Sequence, residues 1–344
     1  MSKHKNIANP DIMPIINGNR VTFRLESDQQ PCLSGDFNNW DLNNGLPLKQ
    51  TSSRNWEISL EFPPDTYMEY SYMINGSRLL DPKNPNRLNN GTGSLNNYFN
   101  MPGWIDSPYA KKKPRKGKLS EHLIVDEFRL ANSSRKLYLY QPDTTNPCPL
   151  VIVLDGRDYL TRGRITNIVD SLIDAGRIQP LALALIPSTK ARFVEYACND
   201  NTTSFINQQV IPLAQTHLNL VDIDKNPGAF CILGASMGGM MALYSAMRFP
   251  AVYGKVISQA GAFHMFEEDY SIFEMVEHYP IPPIKVWMGI GRYDFLYQTN
   301  QRMRNLLNSK GYNLVYQEVN GGHNFTTWRN DLPQALEYFY PNDK

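Results

Sequence analysis

The sequence lacks the features that would indicate a membrane span, a disulfide-rich domain or a nucleic-acid partner. It contains no run of about 18 apolar residues, so we expect no membrane-spanning helix. Its four cysteines are widely spaced and form no C-x-x-C pair, which argues against a disulfide framework and a zinc site. The net charge of +1 gives no argument for binding nucleic acid.

The first residues, MSKHKNIANPDIMP, also lack the apolar segment of a secretory signal, and we therefore expect a cytoplasmic location. The composition, 42% hydrophobic and 19% charged, is that of an ordinary globular protein. A length of 344 residues suggests two domains.

The two predicted domains have different patterns. Residues 1–110 contain short alternating stretches such as RVTFRLES and WEISLEFP between Asn, Gly and Pro turns, which predict an all-β sandwich of the immunoglobulin-like type. Residues 111–118, KKKPRKGK, are interpreted as a solvated basic linker, with a patch that attracts polyanions as the alternative.

Residues 119–344 predict an α/β domain. Continuous apolar stretches such as LVIVLDG, LALALIP and AFCILG alternate with helical patterns at 165–176, 203–219, 237–249, 298–311 and 331–340. Such alternation is typical of a mostly parallel sheet covered by helices on both faces.

The strongest chemical signal in this domain is AFCILGASMGGMMALYSAMRFP, residues 229–250. An apolar strand leads through the G-x-S-x-G turn around Ser236 into an apolar helix. This is the setting of a nucleophile elbow, in which small residues permit the sharp turn and the helix N-terminus faces the serine. A structural tight turn is the alternative interpretation.

Two further residues complete the order expected of a Ser–acid–His triad. Asp294 follows the strand pattern IKVWMGIG, 58 residues after Ser236, and His323 follows NLVYQEVNGG, 29 residues after Asp294. The two glycines before His323 let its loop approach a site. Asp331 is interpreted instead as a charge at a helix start. The other histidines are weaker candidates: His4, His122, His217, His264 and His278.

An oxyanion hole needs two backbone N–H groups. The residue after the nucleophile, Met237, supplies the first. The second is expected from the loop after LVIVLDGRDY, where Gly156 permits close approach and Arg157 is the predicted donor.

These motifs resemble an esterase family of α/β-hydrolases that contains enterochelin esterases, feruloyl esterases and S-formylglutathione hydrolases. The resemblance rests on VIVLDGRDYL, RFVEY, GASMGGMMALYSAMRFP, GRYD and GGHNFTTWRNDLPQAL, which occur in the family's order between residues 119 and 340. It implies Ser236 as nucleophile, Asp294 as acid, His323 as base, and Arg157 and Met237 as oxyanion donors. This chemistry needs no metal or organic cofactor.

The RFVEY motif resembles a family motif beside the active site, and it makes Arg192 and Glu195 candidates for substrate binding. An Arg at this position suits an anionic or catechol-bearing acyl group. The alternative is an ion pair between Arg192 and Glu195 that shapes a loop.

The N-terminal domain resembles early-set glycogen-binding modules, which implies Trp40 as a carbohydrate-binding residue, with Asn96 or Asn97 beside it. The Lys and the second Trp of those modules are replaced by Ser71 and Arg78. The alternative is that this domain packs on the esterase domain and shapes the mouth of its site.

The expected function is a serine ester hydrolase of the enterochelin-esterase type, acting on a small-molecule ester such as a siderophore ester. The first alternative is a feruloyl or other carbohydrate esterase. The second alternative is a non-catalytic glucan-binding or scaffolding protein. The sequence predicts no nucleic-acid or membrane partner, and it leaves the oligomeric state open.

Overall fold

The structure, a computed structural model, describes residues 12–41, 45–91, 93–125 and 134–342. The chain divides into two compact units. The first comprises Met1–Ile105, Gly291–Phe295 and Val319–Thr327, and the second comprises Asp106–Ile290, Leu296–Glu318 and Trp328–Lys344. The predicted domain boundaries at residues 110 and 119 stay a prediction.

The N-terminal part of the first unit is a β-sandwich. Its strands are β1 (Ile15–Asn17), β2 (Arg20–Glu26), β3 (Cys32–Gly35), β4 (Leu46–Pro47), β5 (Lys49–Gln50), β6 (Asn55–Glu61), β7 (Tyr67–Ile74), β8 (Ser77–Leu79), β9 (Arg87–Asn89) and β10 (Leu95–Asn100). One antiparallel sheet has the order β1-β2-β6-β5, and the other has the order β4-β3-β7-β10-β9 with β8 beside β7. A 3₁₀ turn, Asp36–Asn38, follows β3.

Alternation along the strands builds the core of this sandwich. Val21, Phe23 and Leu25 of β2 are buried while the residues between them are more exposed, as the period of two for a strand requires. The Phe23 ring packs edge-on against Tyr70 and Phe99 at centroid distances of 5.0 and 5.6 Å.

The second half of the chain has an α/β fold. Its strands are β11 (Lys118–Val125), β12 (Ser134–Gln141), β13 (Leu150–Leu154), β14 (Ala182–Ile186), β15 (Phe230–Ala235), β16 (Tyr253–Gln259), β17 (His264–Met265), β18 (Glu268–Asp269), β19 (Lys285–Gly291) and β20 (Asn313–Val319). Its helices are α1 (Gly156–Thr161), α2 (Ile165–Asp174), α3 (Arg192–Tyr196), α4 (Asp200–Phe205), α5 (Ile211–His217), α6 (Met237–Arg248), α7 (Ile272–His278), α8 (Tyr297–Lys310) and α9 (Phe325–Phe339), with a π-helical segment Ile206–Val210 between α4 and α5.

The main sheet has the order β11-β12-β14-β13-β15-β16-β19-β20. The neighbours from β14 to β19 are parallel, and β11 and β12 are antiparallel. Every residue of β13 and β14 is buried, which explains their uninterrupted apolar sequences. The prediction of a mostly parallel sheet is confirmed. No described helix is long and apolar enough to cross a lipid bilayer.

Two elements differ from the sequence prediction. Strand β11 was not expected, because KLSEHLIV alternates polar and apolar residues and stays half-exposed at the sheet edge. Helix α9 begins at Phe325 rather than near 331, since the Asn324 side-chain oxygen accepts the Thr327 N–H at 2.9 Å and caps it. The interpretation of Asp331 as a charge at a helix start is therefore wrong, because it lies buried within α9.

Candidate active site

The predicted nucleophile lies on a strained turn between β15 and α6. Ser236 has φ 58° and ψ −126°, a backbone conformation that is rare for a residue with a side chain. Its N–H donates to Gln259 O at 2.8 Å. A Cβ on Gly234 would lie 2.3 Å from Gly238 O, so the chain can turn here only with glycine at position 234. Strain of this kind concentrates at functional sites.

The predicted acid and base are paired. Asp294 follows the end of β19 and His323 follows the end of β20, and both lie in the first unit. His323 Nδ1 lies 2.8 Å from Asp294 Oδ2, and the Asp294 side chain is fully buried while that of His323 is 18% exposed. The ring of Phe295 lies 4.5 Å from the His323 ring. A carboxylate bonded to Nδ1 fixes the tautomer in which Nε2 can exchange a proton.

The predicted oxyanion donors begin two helices. Arg157 is the second residue of α1, and Met237 is the first residue of α6. The first N–H groups of a helix have no acceptor within the helix and can therefore face a substrate oxygen. A Cβ on Gly156 would lie 2.4 Å from Ile186 N, which shows how closely this turn approaches β14. The oxyanion roles themselves stay predictions.

The two charged residues of RFVEY do not pair with each other. Arg192 donates to Asp155 through Nε and Nη2, and Glu195 accepts from Arg135 Nη2 at 3.1 Å and from Thr189 Oγ1 at 2.9 Å. Glu195 is 1% exposed. Burial alone would lower the pKa of Arg192, but the hydrogen bonds and charge of Asp155 raise it above its usual value. The i,i+3 ion pair is therefore wrong, and substrate contact by these residues stays a prediction.

The comparisons with known proteins identify the family. The model of the Esterase family, described as "Putative esterase", matches residues 129–339. The chain belongs to this esterase family. It is 25% identical over 274 residues to the iron(III) enterobactin esterase of Escherichia coli O6:H1 (strain CFT073), over 75% of this chain and 66% of that relative. The aligned region thus spans just under two thirds of that relative's length.

Solved structures show the same fold. The enterobactin esterase of Shigella flexneri, crystallised in the presence of enterobactin, superimposes with a TM-score of 0.79 at 18% identity and covers 94% of both chains. A ferulic acid esterase superimposes with a TM-score of 0.56 at 16% identity, over 66% of this chain and 98% of that one. The predicted fold class, an α/β-hydrolase preceded by a β-sandwich, is confirmed.

The other histidines of this esterase-family chain have different surroundings. The rings of His122 and His217 lie 4.3 Å apart, and His264 and His278 contact the exposed or half-exposed carboxylates of Asp269 and Glu274. His4 lies outside the described residues. Among the histidines that the structure describes, only His323 is bonded to a fully buried carboxylate.

Arg78 contacts three of the positions that the resemblance to glycogen-binding modules singled out, Trp40, Ser71 and Asn96. The Arg78 guanidinium lies 5.4 Å from the centroid of the Trp40 ring and donates to Ser71 Oγ at 3.0 Å. It also donates to Asn96, whereas Asn97 is fully buried and accepts the Asp81 N–H at 2.7 Å. The Arg78 guanidinium thus lies over one face of the Trp40 ring, and carbohydrate binding by Trp40 stays a prediction.

Sequence analysis missed one buried carboxyl near the candidate base. Asp36 is 2% exposed and accepts hydrogen bonds from Glu69 N–H, Trp40 Nε1 and Asn324 Nδ2 at 2.9, 2.9 and 3.0 Å. Burial raises the pKa of Asp36 to about 6, against the hydrogen bonds from Glu69 and Trp40, which lower it. The contact joins residues 288 apart in sequence, so no local pattern could have indicated it.

The described residues contain no group of three or more His, Cys, Asp or Glu side chains that could hold a metal ion.

Proposed function

We propose that the chain is a serine ester hydrolase that works through a covalent acyl-enzyme. The observation that carries this proposal is the strained strand-to-helix turn at Ser236, which has the form of a nucleophile elbow. The bond between His323 and Asp294, 2.8 Å long, supports it.

In the proposed mechanism, Ser236 Oγ attacks the ester carbonyl while His323 takes the hydroxyl proton and then gives it to the leaving alcohol. Water, activated by the same imidazole, hydrolyses the acyl-serine and releases the acid. Asp294 orients the imidazole and stabilises its charged form. The N–H groups of Arg157 and Met237 donate to the oxyanion of each tetrahedral intermediate.

For the substrate, we propose a siderophore ester of the enterobactin type. The support is the likeness to the iron(III) enterobactin esterase of Escherichia coli and to the Shigella flexneri enterobactin esterase. Hydrolysis of feruloyl or other carbohydrate esters is the alternative within the enzyme class. Arg192 and Glu195 remain proposed substrate-binding residues, and a cytoplasmic location remains a prediction.

Labelling with a fluorophosphonate probe tests the nucleophile. Wild type is expected to be labelled covalently, Ser236→Ala is expected to be unlabelled, and His323→Ala is expected to react much more slowly. Ser245→Ala, which removes a buried serine from α6, is the matched control and should label like wild type. Equal labelling of Ser236→Ala and wild type would refute Ser236 as the nucleophile, and an unlabelled wild type would favour the non-catalytic alternative.

A hydrolysis panel tests the substrate. It compares p-nitrophenyl acetate, methyl ferulate, acetylated xylan, and enterobactin with and without Fe(III). Efficient cleavage of enterobactin supports the siderophore assignment. Cleavage of methyl ferulate or acetylated xylan without cleavage of enterobactin assigns the chain to the alternative class.

A further inference from the structure

One carboxyl group contacts both chain neighbours of His323. A Cβ on Gly322 would lie 2.1 Å from Asp36 Cγ and 2.5 Å from Asp36 Oδ1, so the backbone of Gly322 rests directly on this carboxyl. On the other side of the histidine, Asn324 Nδ2 donates to Asp36 Oδ2 at 3.0 Å. The backbone that carries His323 is therefore held before and after it by the same side chain.

Asn324 extends this contact to the next helix. Its side chain is 5% exposed, and its Oδ1 accepts the Thr327 N–H at 2.9 Å and the Thr327 hydroxyl at 3.1 Å. Because Oδ1 faces α9, Nδ2 must face Asp36. The carboxyl of Asp36 thus accepts from the Asn324 amide, whose orientation is already fixed by Thr327 and which belongs to the residue directly after His323.

Residues of the β-sandwich form hydrogen bonds with Asp36 and with Asn320, which lies at the start of the loop that carries His323. Asp36 accepts the backbone N–H of Glu69 in β7 and the indole N–H of Trp40. The first residue of β7, Tyr67, donates its N–H to Asn320 O at 3.0 Å. Asn320 Nδ2 donates to Asp65 Oδ1 at 2.7 Å.

We propose that Asp36 is a positioning residue for His323, and that the N-terminal sandwich is consequently part of the catalytic apparatus. The inference rests on the proposed serine-hydrolase function. A loop that contains Gly321 and Gly322 has much backbone freedom, whereas a catalytic base must be held to about 0.5 Å of its productive position. An ionised carboxylate that accepts three N–H groups supplies that restraint.

The variant Asp36→Asn tests the proposal. An amide has one accepting oxygen, so it cannot serve the donors on both carboxyl oxygens, and its NH₂ group must face one of them. The kcat for p-nitrophenyl acetate is expected to fall about 10- to 100-fold while KM changes less than about 3-fold.

Asp81→Asn is the matched control. Asp81 is also a fully buried carboxyl of the sandwich, and its side chain accepts from Tyr70 OH at 2.7 Å and Lys83 N–H at 2.9 Å. Both variants are compared for melting temperature and for kcat. If kcat falls in both variants in proportion to their melting temperatures, the proposal is overturned. A loss of kcat confined to Asp36→Asn supports it.

The double variant Asp36→Asn/Asn324→Ala provides a second measurement. If Asp36 acts through Asn324, the double variant should lose kcat by little more than the worse single variant. Multiplying losses would contradict the proposal. Fluorophosphonate labelling of wild type distinguishes failure of the proposed hydrolase function from failure of the proposed positioning role. An unlabelled wild type refutes the hydrolase function itself, whereas a labelled wild type leaves only the positioning role in question.

Discussion

The guanidinium of Arg192 holds the carboxylate of Asp155 in a two-pronged pair. Nε lies 2.7 Å from Oδ1, and Nη2 lies 2.6 Å from Oδ2. Nη2 also donates to Ala235 O at 3.2 Å, directly before Ser236. Asp155 directly precedes Gly156 and Arg157. The Arg192 side chain therefore connects the turn proposed to form the oxyanion hole with the turn proposed to carry the nucleophile.

We expect Arg192→Lys to lower kcat about 10- to 100-fold, because an ammonium group cannot reproduce the two-pronged pair and a small displacement of the two turns is costly. The assay is hydrolysis of p-nitrophenyl acetate. Arg248→Lys is the matched control, since Arg248 makes a two-pronged pair with Asp200 on the surface at 3.1 and 3.2 Å. Wild-type kcat in Arg192→Lys would contradict a positioning role.

The two glycines of the G-x-S-x-G turn are expected to differ in their tolerance of alanine. A Cβ at Gly234 would meet the backbone of residue 238 at 2.3 Å, whereas a Cβ at Gly238 would have Asp155 Oδ2 as its nearest neighbour at 3.2 Å. Gly234→Ala should therefore abolish labelling or folding, and Gly238→Ala should cost about 1–2 kcal/mol and keep labelling. Urea unfolding and fluorophosphonate labelling measure both effects. Equal damage in the two variants would refute the distinction.

Local patterns in the sequence were sufficient to predict the strand–turn–helix segment around Ser236 and the main parallel strands. The apolar strand FCIL, the glycines around Ser236 and the helix that follows are contiguous, so their geometry could be inferred from short-range rules. Asp294 and His323 became candidates for the same reason, since each follows a strand.

Contacts distant in sequence could not be inferred. Asp36 and Asn324 are 288 residues apart, and nothing in either segment indicates the other. Arg192 had a plausible partner three residues away in Glu195, yet it pairs with Asp155, because Glu195 is buried against Arg135. The i,i+3 spacing of Arg192 and Glu195 therefore suggested an ion pair that the structure does not contain.

The buried carboxyl of Asp331 should make the free energy of unfolding depend on pH. Burial raises its pKa to about 6, against hydrogen bonds from Gln259 and Trp287 that lower it. A carboxyl whose pKa is higher in the folded state contributes stability that is complete below pH 4 and is lost as the pH rises through 6. Asp331→Asn lacks this loss. The difference in unfolding free energy between Asp331→Asn and wild type should therefore change in favour of the variant by on the order of 3 kcal/mol between pH 4 and pH 7.

Urea unfolding at pH 4, 5, 6 and 7 measures this gain. The Asn side chain should be accommodated, since its oxygen can accept from Gln259 and Trp287. Its NH₂ group replaces Asp331 Oδ1, a buried atom that has no hydrogen-bond partner among the described residues. Asp28→Asn, which changes a carboxylate with 77% exposure, is the control. Parallel stability curves for wild type and Asp331→Asn would show that Asp331 titrates normally.

Trp40 is expected to serve the protein rather than a sugar. Arg78 lies over its ring, and its indole N–H donates to Asp36 at 2.9 Å. Stacking on a pyranose needs an open aromatic face. Wild type should therefore migrate through native gels that contain amylopectin or glycogen with no more retardation than Trp40→Ala, which removes the ring.

Trp40→Phe is instead expected to lower kcat, because it keeps the ring and removes the hydrogen bond to Asp36. Leaving this buried acceptor without its donor should also cost about 1–3 kcal/mol of stability. Trp56→Phe is the matched control, since the Trp56 indole donates to Ser27 O at 2.9 Å in the same sandwich. It should lose stability without a separate loss of kcat. Retardation of wild type by glucan that is lost in Trp40→Ala would support carbohydrate binding by Trp40. Equal kcat in Trp40→Phe and Trp56→Phe would show that Trp40 has no influence on His323.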